Sequence, residues 1–516
     1  MDVVYAGWLS LLPPVLAIVL ALITKEVISS LLIGILSGTI IYTAMAGLNP
    51  LVGPVDTLFD TALASIDIYI LLFCFLLGAL VHLVTLTGGS SAYGEWASKR
   101  LRTKRSALLA TSALGCLIFI DDYFNCLTVG TVMKPVTDRY KVSRAKLAYI
   151  IDSTAAPVCI IAPISSWAAA VSSYIRGTGS FESDFMAFCS TIPFNLYALL
   201  TLAMVVILSA KDMEFGPMGK AELLARETGD LGAVQTEEPN FPQGKKRGRV
   251  ADMLVPILSL IVFSILSMLY IGGFWGDDPA FRYQFTAALG NSVAAEALCW
   301  GSLAALFVAF LQYVPRRLMT FKEFMDGVSA GMSSMVSAAT ILVLAWTISG
   351  VCGLLETDVY VKDVMVSSSI PGGLLPVIVF MVAAFLSFAT GTSWGTFGIL
   401  IPIVIPVASA ISPHLLIVSL AATLGGSVMG DHCSPISDTT ILSSTGAGCV
   451  HVQHVSTQLP YALLVGGCCV VGYLVAGFTD GNVWLTLLTG FGSLIVMMMI
   501  LHRRSVKKEA LSQKNA

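Results

Sequence analysis

The chain has 516 residues, 56% of them hydrophobic and only 12% charged, with a net charge of −3. Soluble domains carry about 25% charged residues, and a single soluble core stops growing near about 250–300 residues. The composition therefore excludes a soluble single-domain protein, a nucleic-acid binder and a secreted disulfide scaffold. It points to a polytopic membrane protein.

Apolar runs near the ~20-residue length that spans a bilayer predict helices at 8–24, 27–46, 67–88, 145–174, 189–210, 251–272, 285–313, 333–355, 415–446, 457–478 and 483–501. The N-terminus lacks the basic region of a cleavable signal peptide, so the first run is expected to be retained as a span. The eleven cysteines lie mostly in apolar runs and form no CxxC pair, which argues against a metal knuckle. Of the 29 Lys and Arg, 26 fall on one side of this arrangement, and only Arg176, Arg282 and Lys362 on the other. The excess marks the first side as cytoplasmic.

That assignment holds only if two further apolar segments fail to cross. Segment 106–134 is flanked by basic clusters at both ends, so it is expected to enter from the cytoplasm, turn near Ile120–Asn125 and return. Segment 374–408 is expected to enter from outside and turn near Thr390–Thr396. The expected fold is thus all-α: about eleven transmembrane helices plus two re-entrant hairpins, N-terminus outside and C-terminus cytoplasmic.

The halves correspond at an offset near 271. Ile70–Phe73 matches Ile341–Leu344, Leu83 matches Leu354, and Pro135-Val136 matches Pro406-Val407; at 272, Pro163-Ile164-Ser165 matches Pro435-Ile436-Ser437. Equivalent spans run in opposite directions, which predicts an inverted-topology repeat. The chain then divides into a first repeat (1–210), a linker (211–250), a second repeat (251–480) and an extra helix with a basic tail (481–516). The linker holds seven acidic and seven basic residues without sustained apolar periodicity, and is expected to be partly disordered.

Ionisable groups inside spans are costly and mark function by default. They concentrate at the hairpin tips and the spans that follow. The first tip carries Asp121, Asp122 and Asn125. Its following span carries Asp152, Ser153, Thr154 and Ser165; the second tip carries Thr392, Ser393 and Thr396. The last of these spans carries Ser427, Asp431, His432, Ser434, Ser437 and Asp438 among glycines and a proline that break helices. Carbonyls, hydroxyls and carboxylates are hard oxygen ligands for a small cation. Na⁺ candidates are Asp122, Asn125, Asp431 and Asp438. Asp438 can instead cap the helix half that follows it, and either of the adjacent Asp121 and Asp122 can be structural. His432 is a candidate titrating partner of Asp431. His451 and His454 are placed in a cytoplasmic turn, where HxxH alone is a weak metal signal.

The segments Gly430–Thr440 (GDHCSPISDTT) and Phe119–Asn125 (FIDDYFN) resemble the NhaC-type Na⁺/H⁺ antiporter family of the ion-transporter superfamily. The resemblance implies a bacterial inner-membrane secondary transporter with ion and substrate sites at hairpin tips and opposing broken helices, with Na⁺ and H⁺ as transported ions and no cofactor. It also allows a homodimer. The first reading is Na⁺/H⁺ antiport by alternating access, with intramembrane carboxylates exchanging the two ions. The alternative is a Na⁺- or H⁺-coupled carrier of a small organic acid or amino acid, such as a malate/lactate exchanger. An intramembrane aspartyl protease, faintly suggested by Gly430-Asp431, is disfavoured by the repeat and the hairpins. No HExxH, Walker A or GxSxG motif suggests other enzyme chemistry.

Overall fold

The computed structural model describes residues 2–24, 26–119, 122–163, 165–181, 183–233, 248–357, 359–360, 363–364 and 371–515. Among them the chain is helical, and ten helices are long and apolar enough to cross a membrane. Eleven apolar runs were expected to cross. The numbers differ because the runs at 8–24 and 145–174 form helices too short to span, whereas one hairpin arm reaches spanning length.

In chain order, α1 (Leu12–Thr24), α2 (Val27–Met45) and α3 (Ile68–Leu86) precede the helix pair α4 (Lys104–Leu117) and α5 (Asp122–Arg139). A broken span follows: α6 (Arg144–Thr154), a single turn at Ala156–Cys159, and α7 (Ser166–Thr178). Then come α8 (Leu196–Lys211) and α9 (Gly216–Thr228). The second half begins with α10 (Ala251–Ile271), α11 (Ala294–Tyr313) and α12 (Val336–Leu354). The pair α13 (Leu375–Thr390) and α14 (Ser393–Ile411) leads into the broken span α15 (Leu416–Cys433) and α16 (Asp438–Ala447). Finally come α17 (His451–Phe478) and α18 (Val483–Asn515).

Both helix pairs double back. Lys104 at the start of α4 pairs with Glu222 of α9 at 2.6 Å, and the same carboxylate accepts from the amide of Ser143 just beyond α5, at 2.8 Å. The Tyr140 hydroxyl also donates to the Leu101 carbonyl, so the two ends of this pair lie together. At the other pair, a Cβ on Gly372 would stand 2.1 Å from the Ser412 Oγ, which places its two ends together as well. Helix α17 relates the two. Gly232, just past α9, lies against Gln453 near the start of α17, whereas Gly373 lies against Gly477 at its end. The pairs therefore approach from opposite ends of one continuous helix. Their helices start in register, at 104 and 375 and at 122 and 393, each 271 residues apart.

Basic residues gather at the α9 end. Arg139 pairs with Glu95, Lys104 with Asp212 and Glu222, Lys146 with Glu214, and Arg316 with Asp252. Part of the segment expected to be a partly disordered linker is ordered. Residues 216–228 form helix α9, which buries Met218, Glu222 and Ala225. Its periodicity is hidden because one of its buried positions is a carboxylate, held inside by ion pairing and not by apolarity. Residues 234–247 lie outside the described residues.

Most packing falls within two helix sets, which also meet where α12 rests on α16 and α1 on α13. One is α1–α3 with α10–α12; the other holds both pairs, the broken spans, α8 and α17. Large apolar side chains such as Leu258, Val262, Leu303 and Phe307 stay exposed on the first set, as expected where the solvent is lipid. In the second set, glycines let backbones touch. On α15, Gly426 and Gly430 are four residues apart, and their Cβ atoms would lie 2.4 Å from the Phe380 carbonyl and 2.1 Å from the Ala384 carbonyl of α13. Gly130 of α5 meets the backbone of Gly446 on α16 at 2.4 Å in the same sense. Small residues four apart are a general route to close helix approach in membranes.

A methyl at Gly430 has nowhere to go but into a carbonyl. Gly430→Ala is expected to destabilise the protein by about 1–3 kcal/mol and to lower its thermal unfolding midpoint in detergent. Gly467→Ala, where a Cβ would meet nothing within 4 Å, should unfold like the parent.

Candidate functional site

The tips of both pairs and the interruptions of both broken spans meet in the interior. Helix α13 ends at Gly391, whose φ of +71° turns the chain in the left-handed region. Thr392 then caps α14, its Oγ1 accepting from the Gly395 amide. This places Ser393, in the first turn of α14, against α15. Its hydroxyl donates to Asp431 Oδ2 at 3.0 Å and to the Ser427 carbonyl at 3.2 Å.

The span carrying Asp431 and Asp438 is interrupted between Cys433 and Asp438, so the seven-residue spacing does not act through one continuous helix. Ser437 caps α16, and Thr439 connects the two acids. Its hydroxyl donates to Asp431 Oδ2 at 3.2 Å, while its amide donates to Asp438 Oδ1 at 2.8 Å. Tyr123 of α5 donates to Asp438 Oδ2 at 2.6 Å. Asp431 Oδ1 is buried and takes no hydrogen bond among the described residues.

Asp152, at the end of α6, forms a second centre. Its Oδ2 accepts from Gln458 Nε2 at 2.5 Å and Thr440 Oγ1 at 3.2 Å, with His454 Nε2 at 3.3 Å. His432 Nε2 stands 4.0 Å from Oδ1, and its Nδ1 is 3.1 Å from the Tyr197 hydroxyl. Successive threonines of α16 thus clamp carboxylates from different halves of the chain: Thr439 holds Asp431, Thr440 holds Asp152.

Asp122 is fully buried and accepts from the Trp167 indole at 3.0 Å. Trp167 packs in turn on Trp394 and Phe397 of α14, with ring centroids 5.3 and 5.5 Å apart. Asn125 donates to the carbonyls of Gly115, Ile118 and Thr154, at 2.7–3.0 Å, which ties the break in the first pair to the end of α6. Its Oδ1 stays buried without a hydrogen bond among the described residues. Asp121 lies outside the described residues.

Other sequence candidates have local partners. Thr154 donates back to Ile150, Ser427 to Thr423, and Thr396 to Thr392. Ser165 caps α7 through the Ala168 amide, and Ser434 donates to the Phe388 carbonyl of α13. Ser153 is buried near Asp152. Sequence reasoning missed Tyr123, Trp167, Thr439, Thr440 and Gln458 as contributors, and set His454 aside. Instead of lying in a turn, His454 is buried inside α17 and shares one face with Gln458. The i, i+4 spacing of two polar residues in an apolar helix was the available signal.

Three buried carboxylates, Asp152, Asp431 and Asp438, have no lysine or arginine within ion-pair distance among the described residues. Nor does any group of three or more His, Cys, Asp or Glu among those residues suit a transition metal. Around Asp431 and Asp438 the side-chain donors present are oxygens of carboxylates and hydroxyls. Such a set suits a hard monovalent cation or a proton.

Comparison with known proteins agrees with this chemistry. The model of the Na⁺/H⁺ antiporter family matches residues 158–478. A Haemophilus influenzae protein described as uncharacterized is 38% identical over 501 residues, covering 95% of this chain and 94% of that protein. The malate-2H⁺/Na⁺-lactate antiporter of Bacillus subtilis is 29% identical over 179 residues, 34% of this chain and 37% of that protein. Among solved structures, the Alcanivorax borkumensis YdaH transporter aligns over 86% of this chain and 89% of its own, at 15% identity and a TM-score of 0.32. With the family model matching well over half of its length, this multi-pass membrane chain belongs to the Na⁺/H⁺ antiporter family of secondary transporters.

Proposed function

We propose that the protein exchanges Na⁺ for H⁺ at Asp431 and Asp438, in a bacterial inner membrane with the basic end facing the cytoplasm. The observation that carries this reading is the trio of buried carboxylates without a fixed cation. A carboxylate removed from water strongly favours its neutral form, and an unpaired buried charge is expensive. Asp431 and Asp438 must therefore be neutralised by a proton or by a mobile cation, and the two compete, whereas Asp152 has His454 at 3.3 Å and His432 at 4.0 Å beside it. Ser393, Thr439, Ser437 and Tyr123 surround the pair with oxygens suited to Na⁺ once water is stripped away.

Alternating access follows from the two helix sets. The set containing both helix pairs and both broken spans shifts as a body against α1–α3 and α10–α12, carrying the acids from one aqueous face to the other. The register of 271 and two matching caps support an inverted repeat of 1–210 and 251–480. Ser165 caps α7 through the amide of residue 168, and Ser437 caps α16 through that of residue 440. These positions are 272 apart, the offset of the Pro-Ile-Ser match. A homodimer would give the moving set a fixed neighbour to work against.

A second reading adds a small organic acid or amino acid to the exchange. The Bacillus subtilis relative, a malate-2H⁺/Na⁺-lactate antiporter, favours it. A carboxylate solute, however, would need a positive group, and the described residues around Asp431 include no lysine or arginine within ion-pair distance, which leaves a Na⁺ ion as its counter-charge. Thermal shifts across a panel of organic acids, with and without Na⁺, separate the two readings.

In sealed vesicles of purified protein, an imposed Na⁺ gradient should drive proton movement, and Asp431→Asn should abolish it; normal exchange in that variant would sink the assignment. Thr439→Val removes a hydroxyl from a charged acceptor. It should raise the Na⁺ concentration for half-maximal exchange by about tenfold. Thr445→Val, whose hydroxyl only bonds back to Ile441, should leave that concentration unchanged.

A further inference from the structure

The break between α15 and α16 sets where the two acids of the proposed Na⁺ site stand, so whatever fixes the break also shapes the site. Asp431 lies in the last turn of α15 and Asp438 opens α16, with residues 434–437 between the helices. A helix leaves its last carbonyls without partners, and Pro435 has no N–H with which to continue the ladder. The stretch therefore carries carbonyls that need donors, and buried backbone groups are rarely left without one.

Those donors come from one face of α17. His451, His454 and Gln458 follow at spacings of three and four, which aligns them along one side of the helix. Gln458 Nε2 donates to the His432 carbonyl at 3.0 Å, at the end of α15. His451 Nε2 lies 2.8 Å from the Pro435 carbonyl, inside the break. A carbonyl only accepts, so the His451 ring carries its proton on Nε2. Nδ1 is then left to accept from the Ser444 hydroxyl of α16 at 3.2 Å, a hydroxyl that otherwise bonds back to Ile441. The ring also lies beside the Thr440 carbonyl. One imidazole thus ties the break to the helix that carries Asp438. The second helix pair holds the same stretch elsewhere: the Ser434 hydroxyl donates to the Phe388 carbonyl, and the Ile436 carbonyl lies against Gly391 at the tip.

We propose that His451 is a positioning residue of the cation site, fixing the break through Pro435 and Ser444 and so setting which monovalent cation Asp431 and Asp438 accept. The proposal rests on the Na⁺/H⁺ exchange reading. The hydrogen bonds of His451 go to the break and to α16, not to either acid, so it acts through the backbone that joins them. Selectivity between ions of equal charge depends on cavity size and on the rigidity of the ligands. A break without its His451 bond lets the oxygens close further, which favours Li⁺ over the larger Na⁺.

The test compares the parent with His451→Ala, His451→Asn and His451→Gln in reconstituted vesicles. Glutamine places an N–H donor where Nε2 stands, whereas asparagine is too short to reach Pro435. Two quantities are read: the Na⁺ concentration for half-maximal Na⁺/H⁺ exchange, followed by an internal pH dye, and the Li⁺ concentration that halves ²²Na⁺ uptake. The alanine and asparagine variants should shift the ratio of these concentrations toward Li⁺ by about fivefold, and the glutamine variant should stay within about twofold of the parent. A merely structural role lowers the number of active molecules and leaves the ratio where it was. An unchanged ratio, or a glutamine variant shifted as far as alanine, overturns the role. Should the alanine variant fail to fold, the asparagine variant carries the comparison; failure of both to fold makes the residue structural and also overturns it. A parent in which Na⁺ drives no proton movement overturns the exchange reading and the role with it, whereas an unchanged ratio beside normal parental exchange overturns the role alone.

Discussion

Asp152, Asp431 and Asp438 are buried with no lysine or arginine among the described residues to neutralise them, and most of the architecture around them answers that constraint. Asp152, Asp431 and Asp438 are shielded by hydroxyls, an amide and imidazoles, all of which tolerate either a charged or a protonated neighbour. A fixed cation would lock the acids in one state, because breaking a buried ion pair is strongly unfavourable. Neutral donors leave the choice to whichever mobile ion is present. Lysine and arginine are instead kept at the α9 end, where Lys104, Lys146 and Arg316 find acidic partners.

Bringing those donors together requires backbones to approach more closely than side chains ordinarily permit. Gly426 and Gly430 seat α15 on α13, and Gly130 seats α5 on Gly446 of α16. Each contact presses an arm of one helix pair against a half of the second broken span, so that Ser393 reaches Asp431 and Tyr123 reaches Asp438. The interruption between Cys433 and Asp438 matters for the same reason. A continuous helix would bury its own amides in its ladder, whereas the break frees the Thr439 amide to hold Asp438 while its hydroxyl holds Asp431.

Two neighbouring centres emerge from this packing. The Asp431–Asp438 pair is rich in hydroxyl oxygens, and Asp152 is rich in imidazole and amide. The first set matches a hard cation, the second a proton. Consecutive threonines on α16 link the two, and Asp431 is followed in the chain by His432, which faces Asp152.

Much of this was legible before any fold was known. Scarcity of charge, the span-length runs and the lopsided distribution of lysine and arginine identified a membrane protein, because lipid admits so few alternatives. Doubly basic flanks around 106–134 exposed the first doubling-back, and the Gly430–Thr440 block pointed to the acids and to the family. Other features required the tertiary structure. Tyr123 and Trp167 look like ordinary apolar filling in sequence, since only packing reveals that one meets Asp438 and the other Asp122. Gln458 and His454 stand about 300 residues from Asp152, and no local pattern encodes such a meeting. Helix α9 was hidden because its inward face carries Glu222, whose burial depends on Lys104 from a distant helix. The sequence by itself determined which groups had to leave water, since periodicity and charge placement are local properties. Which groups they met was decided by long-range packing alone.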